Sequence, residues 1–243
     1  PARLRYNGQV VVSNGGTWGI TLDGFDISHS GSGAGVLVVH LSGGGIDGGG
    51  RNITLRNNVI HDVWSYSYGG WGLYTDESST DILMQRNVAY NTKNSGFHQH
   101  YGKENVLRNN VFAFAREGNV IRSREEEHSS FTFERNIVLT NHGLPLGGNW
   151  GNGHYKMDYN LYWDTADSEM DFGGMDFEEW QQTGQDTHSV VADPLFTDPE
   201  HGDFTLKEGS PALALGFQPI DVSTVGLYGE PEWVEIPASA FTI

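Results

Sequence analysis

The segment Asn105-Val-Leu-Arg-Asn-Asn110-Val111 identifies the fold, because similar segments recur along the chain at a nearly constant interval. The shared pattern is an alternation of apolar residues, followed by an asparagine and one more apolar residue. The other copies are Ile53-Thr-Leu-Arg-Asn-Asn58-Val59, Ile82-Leu-Met-Gln-Arg-Asn87-Val88, Phe131-Thr-Phe-Glu-Arg-Asn136-Ile137 and Tyr155-Lys-Met-Asp-Tyr-Asn160-Leu161. Successive asparagines are separated by 29, 23, 26 and 24 residues. An earlier copy has Phe25 in place of the asparagine.

This repeat predicts an all-β fold, a right-handed parallel β-helix of the pectate-lyase-like solenoid type, over residues 1–165. A period of about 25 residues, with strand-like alternation on both sides of a polar corner, is typical of one coil. An asparagine amide can bond the backbone of a tight corner and its own copies on neighbouring coils, so we expect an asparagine ladder. A β-sandwich is the alternative, but hairpin signals are weak in this sequence.

Residues 166–243 have a different pattern and predict a C-terminal helix, cap and tail packed on the solenoid. Asp176 stands in N-cap position, Glu179 completes a capping box, and Gly184 ends the predicted short α-helix. The segments 192–199 and 206–213 indicate turns and short extended pieces. We expect this region to shield the last coil, because an open β-helix end exposes unpaired strand edges.

Each coil also has a second strand, which precedes the asparagine motif. Its side chains alternate between two faces. The predicted inner face carries Leu37, Val39, Leu73, Thr75, Phe97, Gln99, Ile121, Ser123 and Leu146. The predicted outer face carries His40, Tyr74, Asp76, His98, His100, Arg122, Arg124 and Asn149. A column of large polar groups on successive coils is the strongest indication of a functional site.

Composition limits the partners of that site. Lys and Arg total 14 against 31 Asp and Glu, which gives a formal net charge of −17. This charge argues against nucleic acid and anionic membranes as partners, and it disfavours a polyanionic substrate. The chain has no cysteine, so disulfides and thiolate chemistry are excluded, and no apolar run approaches the length of a membrane span.

Carboxylates near the column suggest hydrolysis of a glycosidic bond, which requires one acid and one nucleophile or base. Asp76 lies on the predicted outer face, Glu117 precedes the strand that carries Arg122, and Glu126 follows that strand. Two coils separate Asp76 from the Arg122 strand, roughly 9–10 Å along the axis. That distance does not distinguish a retaining from an inverting reaction.

Two other interpretations use the same column. His98 and His100 project to one side of a strand and are candidate metal ligands, with His40, Asp76 or His128 completing the set. Polysaccharide lyase chemistry would instead use Arg122 or Arg124, with Ca²⁺ on carboxylates. No dense aspartate cluster supports the lyase. We therefore predict no metal and no cofactor, with Ca²⁺ or another divalent cation left open.

Aromatic and basic side chains beside the column predict a polysaccharide or oligosaccharide cleft, since flat rings stack on sugar faces. The predicted substrate-binding residues are His40, Trp71, Tyr74, His98, His100, Tyr101, Arg122, Arg124, His128 and Trp150. A substrate of this class implies a protein that is secreted or periplasmic. A non-catalytic glycan-binding or structural β-helix is the competing class.

Several segments resemble the bacterial β-helix proteins of glycoside hydrolase family 141. They are Ser95-Gly-Phe-His-Gln-His-Tyr-Gly-Lys-Glu-Asn-Val-Leu-Arg-Asn-Asn110, Ile121-Arg-Ser-Arg-Glu-Glu-Glu-His-Ser-Ser-Phe-Thr-Phe-Glu-Arg-Asn136, Asp193-Pro-Leu-Phe-Thr-Asp-Pro199 and Gly209-Ser-Pro-Ala212. The resemblance implies hydrolysis of plant cell-wall polysaccharide, with xylanase and α-L-fucosidase activities in the family. It also implies two catalytic carboxylates, matched here to Asp76 and Glu117. Family chains are longer on the N-terminal side, which keeps the non-catalytic class open.

Overall fold

The chain folds as a parallel β-helix, which confirms the predicted β-helix architecture. The computed structural model describes residues 3–5, 10–13, 21–29, 37–40, 52–65, 68–77, 79–223 and 225–226. Each complete coil contributes one strand to each of three sheets, which we number sheet 1, sheet 2 and sheet 3 in the order in which the chain visits them. Neighbouring strands within these sheets run parallel and come from successive coils.

The described strands are short, as expected for coils that turn three times. Sheet 1 contains Arg3–Arg5, Asp26–His29, Val59–Val63, Val88–Thr92, Val111–Ala113, Ile137–Thr140, Leu161–Asp164 and Val190–Val191. Sheet 2 contains Leu73–Thr75, Phe97–Gln99, Val120–Arg122 and Leu146–Gly148. Sheet 3 contains Thr21–Asp23, Thr54–Arg56, Leu83–Gln85, Asn105–Arg108, Phe131–Glu134 and Lys156–Asp158. A separate parallel pair joins Val10–Ser13 to Leu37–His40, and an antiparallel pair joins Phe196–Asp198 to Asp203–Leu206.

The repeated asparagines form the predicted ladder at the corner between sheet 3 and sheet 1. Asn58, Asn87, Asn110, Asn136 and Asn160 are all buried. In one rung, Oδ1 of Asn136 accepts hydrogen bonds from the backbone N and from Nδ2 of Asn110, both at 2.9 Å. Nδ2 of Asn110 also donates to the carbonyl of Met84 on the preceding coil, at 3.0 Å. Each such asparagine therefore ties together three successive coils.

The corner also requires an unusual backbone conformation just before each ladder residue. Asn57, Arg86, Asn109, Arg135 and Tyr159 all have φ between 52° and 58°. This left-handed conformation is costly for residues other than glycine, at about 1 kcal/mol or more for each. The buried hydrogen bonds of the ladder offset that cost.

A fully buried carboxylate ends the ladder on the last coil. Asp186 accepts hydrogen bonds from Nδ2 of Asn160 at 2.8 Å, from the hydroxyl of Tyr162 at 2.9 Å and from Nε1 of Trp180 at 2.8 Å. The hydroxyl of Ser189 donates to the same carboxylate. All four of these side chains donate hydrogen bonds to Asp186, so its carboxylate is stabilised without a counter-ion.

The predicted short helix is confirmed and covers the end of the core. It spans Phe177–Gln182, and Asp176 and Glu179 form the expected capping box. Trp180 is fully buried and stacks on Tyr155, with ring centroids 6.0 Å apart. A 3₁₀ helix, Pro199–His201, and a second short α-helix, Pro211–Ala214, follow.

The segment after this helix packs on the solenoid along its side. It runs back along the outer side of sheet 1, where Phe196 and Phe217 pack with Val88 and Val111 in a second hydrophobic cluster. Further on, the N–H of Gly226 reaches a coil near the N-terminus. The reason is that sheet 1 is apolar on its outer face, and that face must be covered.

Candidate functional site

Sheet 2 carries most of the residues that the sequence singled out, and its register defines two rows. One row consists of Tyr74, His98, Ile121 and Gly147. The neighbouring row consists of Thr75, Gln99, Arg122 and Gly148. The first row faces outward and the second faces the interior, where Thr75, Gln99 and Arg122 are fully buried. The predicted outer face was therefore right for Tyr74 and His98. In the next coil the prediction was wrong by one residue, because Ile121 faces outward and Arg122 faces the interior.

Arg122 shows the consequence of that error. Its side chain is 0% exposed and lies inside the solenoid, so it does not reach a polysaccharide on the outer surface. Nη1 donates to the carbonyl of Asn149 at 2.9 Å, and Nη2 donates to Oγ of Ser130 at 3.3 Å. The guanidinium also lies 5.1 Å from the ring centroid of Tyr155. Arg122 is a core residue, and its predicted place on the outer face is corrected.

Ser123 was predicted to face the core, but it lies on the outer side of sheet 2. Its hydroxyl oxygen lies 2.9 Å from Nε2 of His98 and 2.8 Å from Nδ1 of His100. Nδ1 of His98 lies 3.1 Å from Oδ1 of Asn94. Sequence reasoning missed both Ser123 and Asn94 as members of the site.

Aromatic rings form a continuous group around these polar atoms. Trp71 stacks on Tyr74 with ring centroids 4.3 Å apart, and Tyr68 meets Trp71 edge-on. The Tyr74 centroid lies 5.4 Å from that of His98 and 6.4 Å from that of His100. Trp71 is only 6% exposed and Tyr68 is 68% exposed, so Tyr68 offers the open ring face and Trp71 supports it. We call these five side chains the ring cluster.

Two carboxylates flank the ring cluster at opposite ends of the sheet 2 strands. Asp76 follows its strand, and Oδ2 accepts a hydrogen bond from the hydroxyl of Tyr74 at 3.0 Å. Glu117 precedes its strand, and Oε2 accepts a hydrogen bond from Nδ2 of Asn94. Asp76 therefore contacts the cluster through Tyr74, and Glu117 contacts it through Asn94.

Burial changes the acid–base behaviour of the ring cluster. It lowers the pKa of His98 to about 4, with repulsion from His100 acting in the same direction and Asp76 opposing both. Burial also raises the pKa of the Tyr74 hydroxyl far above its usual value, helped by Tyr68 and by the charge of Asp76. At neutral pH both side chains are therefore uncharged, and Tyr74 remains a hydrogen-bond donor.

Glu126 belongs to the corner between sheet 2 and sheet 3. Its Oε2 accepts from the backbone N of Gly102 at 2.9 Å and from Nε2 of Gln99 at 3.3 Å. Oε1 lies 3.4 Å from Nε2 of His128, which in turn lies 3.1 Å from the carbonyl of Gly102. Glu126 and His128 thus hold a corner together. The catalytic role predicted for Glu126 stays a prediction.

The remaining predicted binding residues lie in three different settings. Tyr101 meets His100 edge-on at 4.7 Å, and the guanidinium of Arg124 lies 5.7 Å from the Tyr101 ring, so both adjoin the ring cluster. Trp150 is 5% exposed and packs inside the core against Trp180, so its predicted place in an open cleft is corrected. His40 ends a described strand, but its side chain lies outside the described part of the structure.

Within the described ranges, no group of three or more His, Cys, Asp or Glu side chains is placed to hold a metal ion. None of the helices in this part of the chain is long and apolar enough to cross a membrane. The predictions about metals, cofactors, partners and location stay predictions.

A family model described as a right handed beta helix region matches residues 5–160, which is more than half of the chain. The chain belongs to this family. The right-handed β-helix predicted from the repeat is thereby confirmed. No curated protein and no solved structure matches the chain significantly.

In this right-handed β-helix, the buried first residue of each sheet 2 strand indicates which face Ser123 occupies. Leu73, Phe97, Val120 and Leu146 each open a sheet 2 strand and are buried. Strand alternation that begins with Val120 inside places Ile121 outside, Arg122 inside and Ser123 outside. In the third coil both Val120 and Ile121 are apolar, so alternation alone allowed either phase.

The corrected position of Arg122 in the β-helix has a measurable consequence. We expect Arg122→Met to change the free energy of unfolding by no more than about 1.5 kcal/mol, because an apolar chain of similar length removes a buried charge. Arg122→Ala should cost about 3 kcal/mol, because it leaves a cavity. Urea unfolding followed by tryptophan fluorescence measures both values. A loss for Arg122→Met as large as that for Arg122→Ala would contradict a mainly space-filling role.

Proposed function

We propose that this β-helix is a glycoside hydrolase that cleaves plant cell-wall polysaccharide of the xylan or fucosylated pectin type. Asp76 and Glu117 are its two catalytic carboxylates, one as general acid and the other as nucleophile or base. The observation that carries the proposal is a single outward face on which both carboxylates adjoin the ring cluster. A secreted or periplasmic location follows from such a substrate.

The ring cluster supplies what a sugar-binding surface requires. The exposed face of Tyr68 offers apolar contact to a pyranose ring, while imidazole and phenol groups offer hydrogen bonds to hydroxyls. Family membership supports the coarser statement, because right-handed β-helix proteins include many polysaccharide-active enzymes. The resemblance to glycoside hydrolase family 141 supports the choice of hydrolysis and of Asp76 and Glu117.

Release of reducing sugar from xylan and from fucosylated pectin tests the proposal. We expect Asp76→Asn and Glu117→Gln each to lower the rate by about 100-fold or more, because each removes a proton-transfer or nucleophilic group. Glu200→Gln is the matched control, since Glu200 is exposed on the 3₁₀ helix far along the chain. It should leave the rate unchanged.

Two outcomes would reject the proposal. Unchanged release in both variants would show that Asp76 and Glu117 are not the catalytic pair. Binding of either polysaccharide without any release by the unmodified protein would instead identify a non-catalytic glycan-binding β-helix. Circular dichroism of each variant confirms that the fold is kept.

A further inference from the structure

The described structure contains a hydrogen-bonded series in which two members, Ser123 and Asn94, have no catalytic role in the proposed glycosidic cleavage. It runs from Glu117 through Asn94, His98 and Ser123 to His100. All five side chains belong to two successive coils, on the outer side of sheet 2. Ser123 is partly exposed, whereas His98 is 92% covered by its neighbours, being 8% exposed.

The direction of each hydrogen bond in this series follows from its partners. Asn94 donates from its NH₂ group to Glu117, so its carbonyl oxygen faces Nδ1 of His98. Nδ1 of His98 must then carry the hydrogen, which leaves Nε2 as an acceptor for the Ser123 hydroxyl. The Ser123 oxygen in turn accepts from Nδ1 of His100.

This is the arrangement of an activated serine. A nucleophilic hydroxyl needs a neutral base within hydrogen-bond distance, and that base needs a third group that fixes its tautomer. Ser123, His98 and Asn94 meet these requirements at 2.9 Å and 3.1 Å.

We propose that Ser123 is the nucleophile of a second activity, the hydrolysis of ester-linked acyl groups, with His98 as the general base and Asn94 as its positioning residue. This activity goes beyond glycosidic cleavage and does not depend on it. Its substrates are carboxylic esters, the class of bond that an activated serine hydroxyl cleaves.

The reaction has two balanced halves. Ser123 Oγ bonds to the ester carbonyl carbon while its proton moves to Nε2 of His98. The bond from that carbon to the alcohol oxygen then breaks, and the alcohol leaves with the proton from His98. A water molecule next attacks the acyl-serine and gives a proton to His98, which returns it to Ser123 as the acid is released.

A fluorophosphonate probe tests this proposal without any glycan. Ser123 Oγ should displace fluoride, and mass spectrometry should find the phosphonyl adduct on the peptide that contains Ser123. Ser123→Ala should abolish the adduct, and His98→Gln should slow its formation by about 100-fold or more. Ser168→Ala, a partly exposed serine outside the series, is the control and should label like the unmodified protein.

The pH profile of labelling separates a catalytic base from a structural contact. Labelling should persist in mild acid and fall as His98 is protonated, near pH 4. The ionisable groups that influence the pKa of His98 are His100 and Asp76, and Glu117 lies beyond Asn94. The double variant Asn94→Asp/Glu117→Gln leaves His100 and Asp76 unchanged. That variant places a carboxylate against His98 and should move the midpoint toward neutral pH.

Three results would overturn the proposal. One is the absence of any adduct on Ser123 under conditions that fully label a reference serine hydrolase. Another is equal labelling of His98→Gln and the unmodified protein. The third is a pH midpoint that does not move in the double variant.

Discussion

Replacing Asn110 by alanine is expected to lower the free energy of unfolding by about 3–5 kcal/mol. Asn110 lies in the middle of the ladder, and its side chain accepts two hydrogen bonds from Asn87 and donates to Asn136 and Met84. Alanine leaves the backbone N–H of Asn87 without its side-chain acceptor, and it removes one bond each from the side chains of Asn87 and Asn136 and from the carbonyl of Met84. Each unpaired buried group costs about 1–3 kcal/mol. Urea unfolding followed by tryptophan fluorescence measures the loss.

The control for this prediction is Asn141→Ala, because Asn141 is an exposed asparagine in a loop. It should change the free energy of unfolding by no more than about 0.5 kcal/mol. A loss below about 1 kcal/mol for Asn110→Ala would mean that water or neighbouring groups replace the ladder bonds.

The second large effect is expected at Asp186, where alanine should cost about 3–5 kcal/mol. The change leaves donors of Asn160, Tyr162, Trp180 and Ser189 without an acceptor inside the core. It also removes one hydrogen bond of the covering helix, because Trp180 is a residue of that helix. The same unfolding measurement applies, and stability equal to that of the unmodified protein would contradict this role.

The pH dependence of this loss gives an independent check. Burial raises the pKa of Asp186, although its four donors oppose the shift. The folded protein therefore holds the Asp186 proton more tightly than the unfolded chain does. Above the unfolded pKa of about 3.9, this contribution to stability falls as pH rises, until the folded pKa is passed. The difference between Asp186→Ala and the unmodified protein should consequently be largest in acid.

The sequence was sufficient to predict the fold because one structural requirement repeats. Five successive corners between sheet 3 and sheet 1 bury a side-chain amide, so asparagine recurs at Asn58, Asn87, Asn110, Asn136 and Asn160. The capping box of the covering helix was also readable, since both of its members are local in sequence. Tyr74 and His98 were placed correctly by simple alternation.

The errors arose where a tertiary contact overrides local pattern. Arg122 looks like a surface residue, but the interior supplies it with Asn149, Ser130 and the Tyr155 ring. Trp150 looks like a sugar platform, yet it fills the core against Trp180. Neither partner set is close in sequence to the residue it stabilises, so alternation and composition do not reveal it.

The direction of the asparagine ladder bears on how such a chain changes length. Every rung passes hydrogen toward the next coil, so an extra coil with its own asparagine, inserted between Asn110 and Asn136, would receive and give the same bonds. Beyond Asn160 the series meets Asp186, whose carboxylate takes hydrogen but passes none on. The asparagine ladder of the solenoid therefore ends at Asp186. A coil inserted in the middle of the ladder would keep the pairing, whereas a coil added after Asp186 would not receive it.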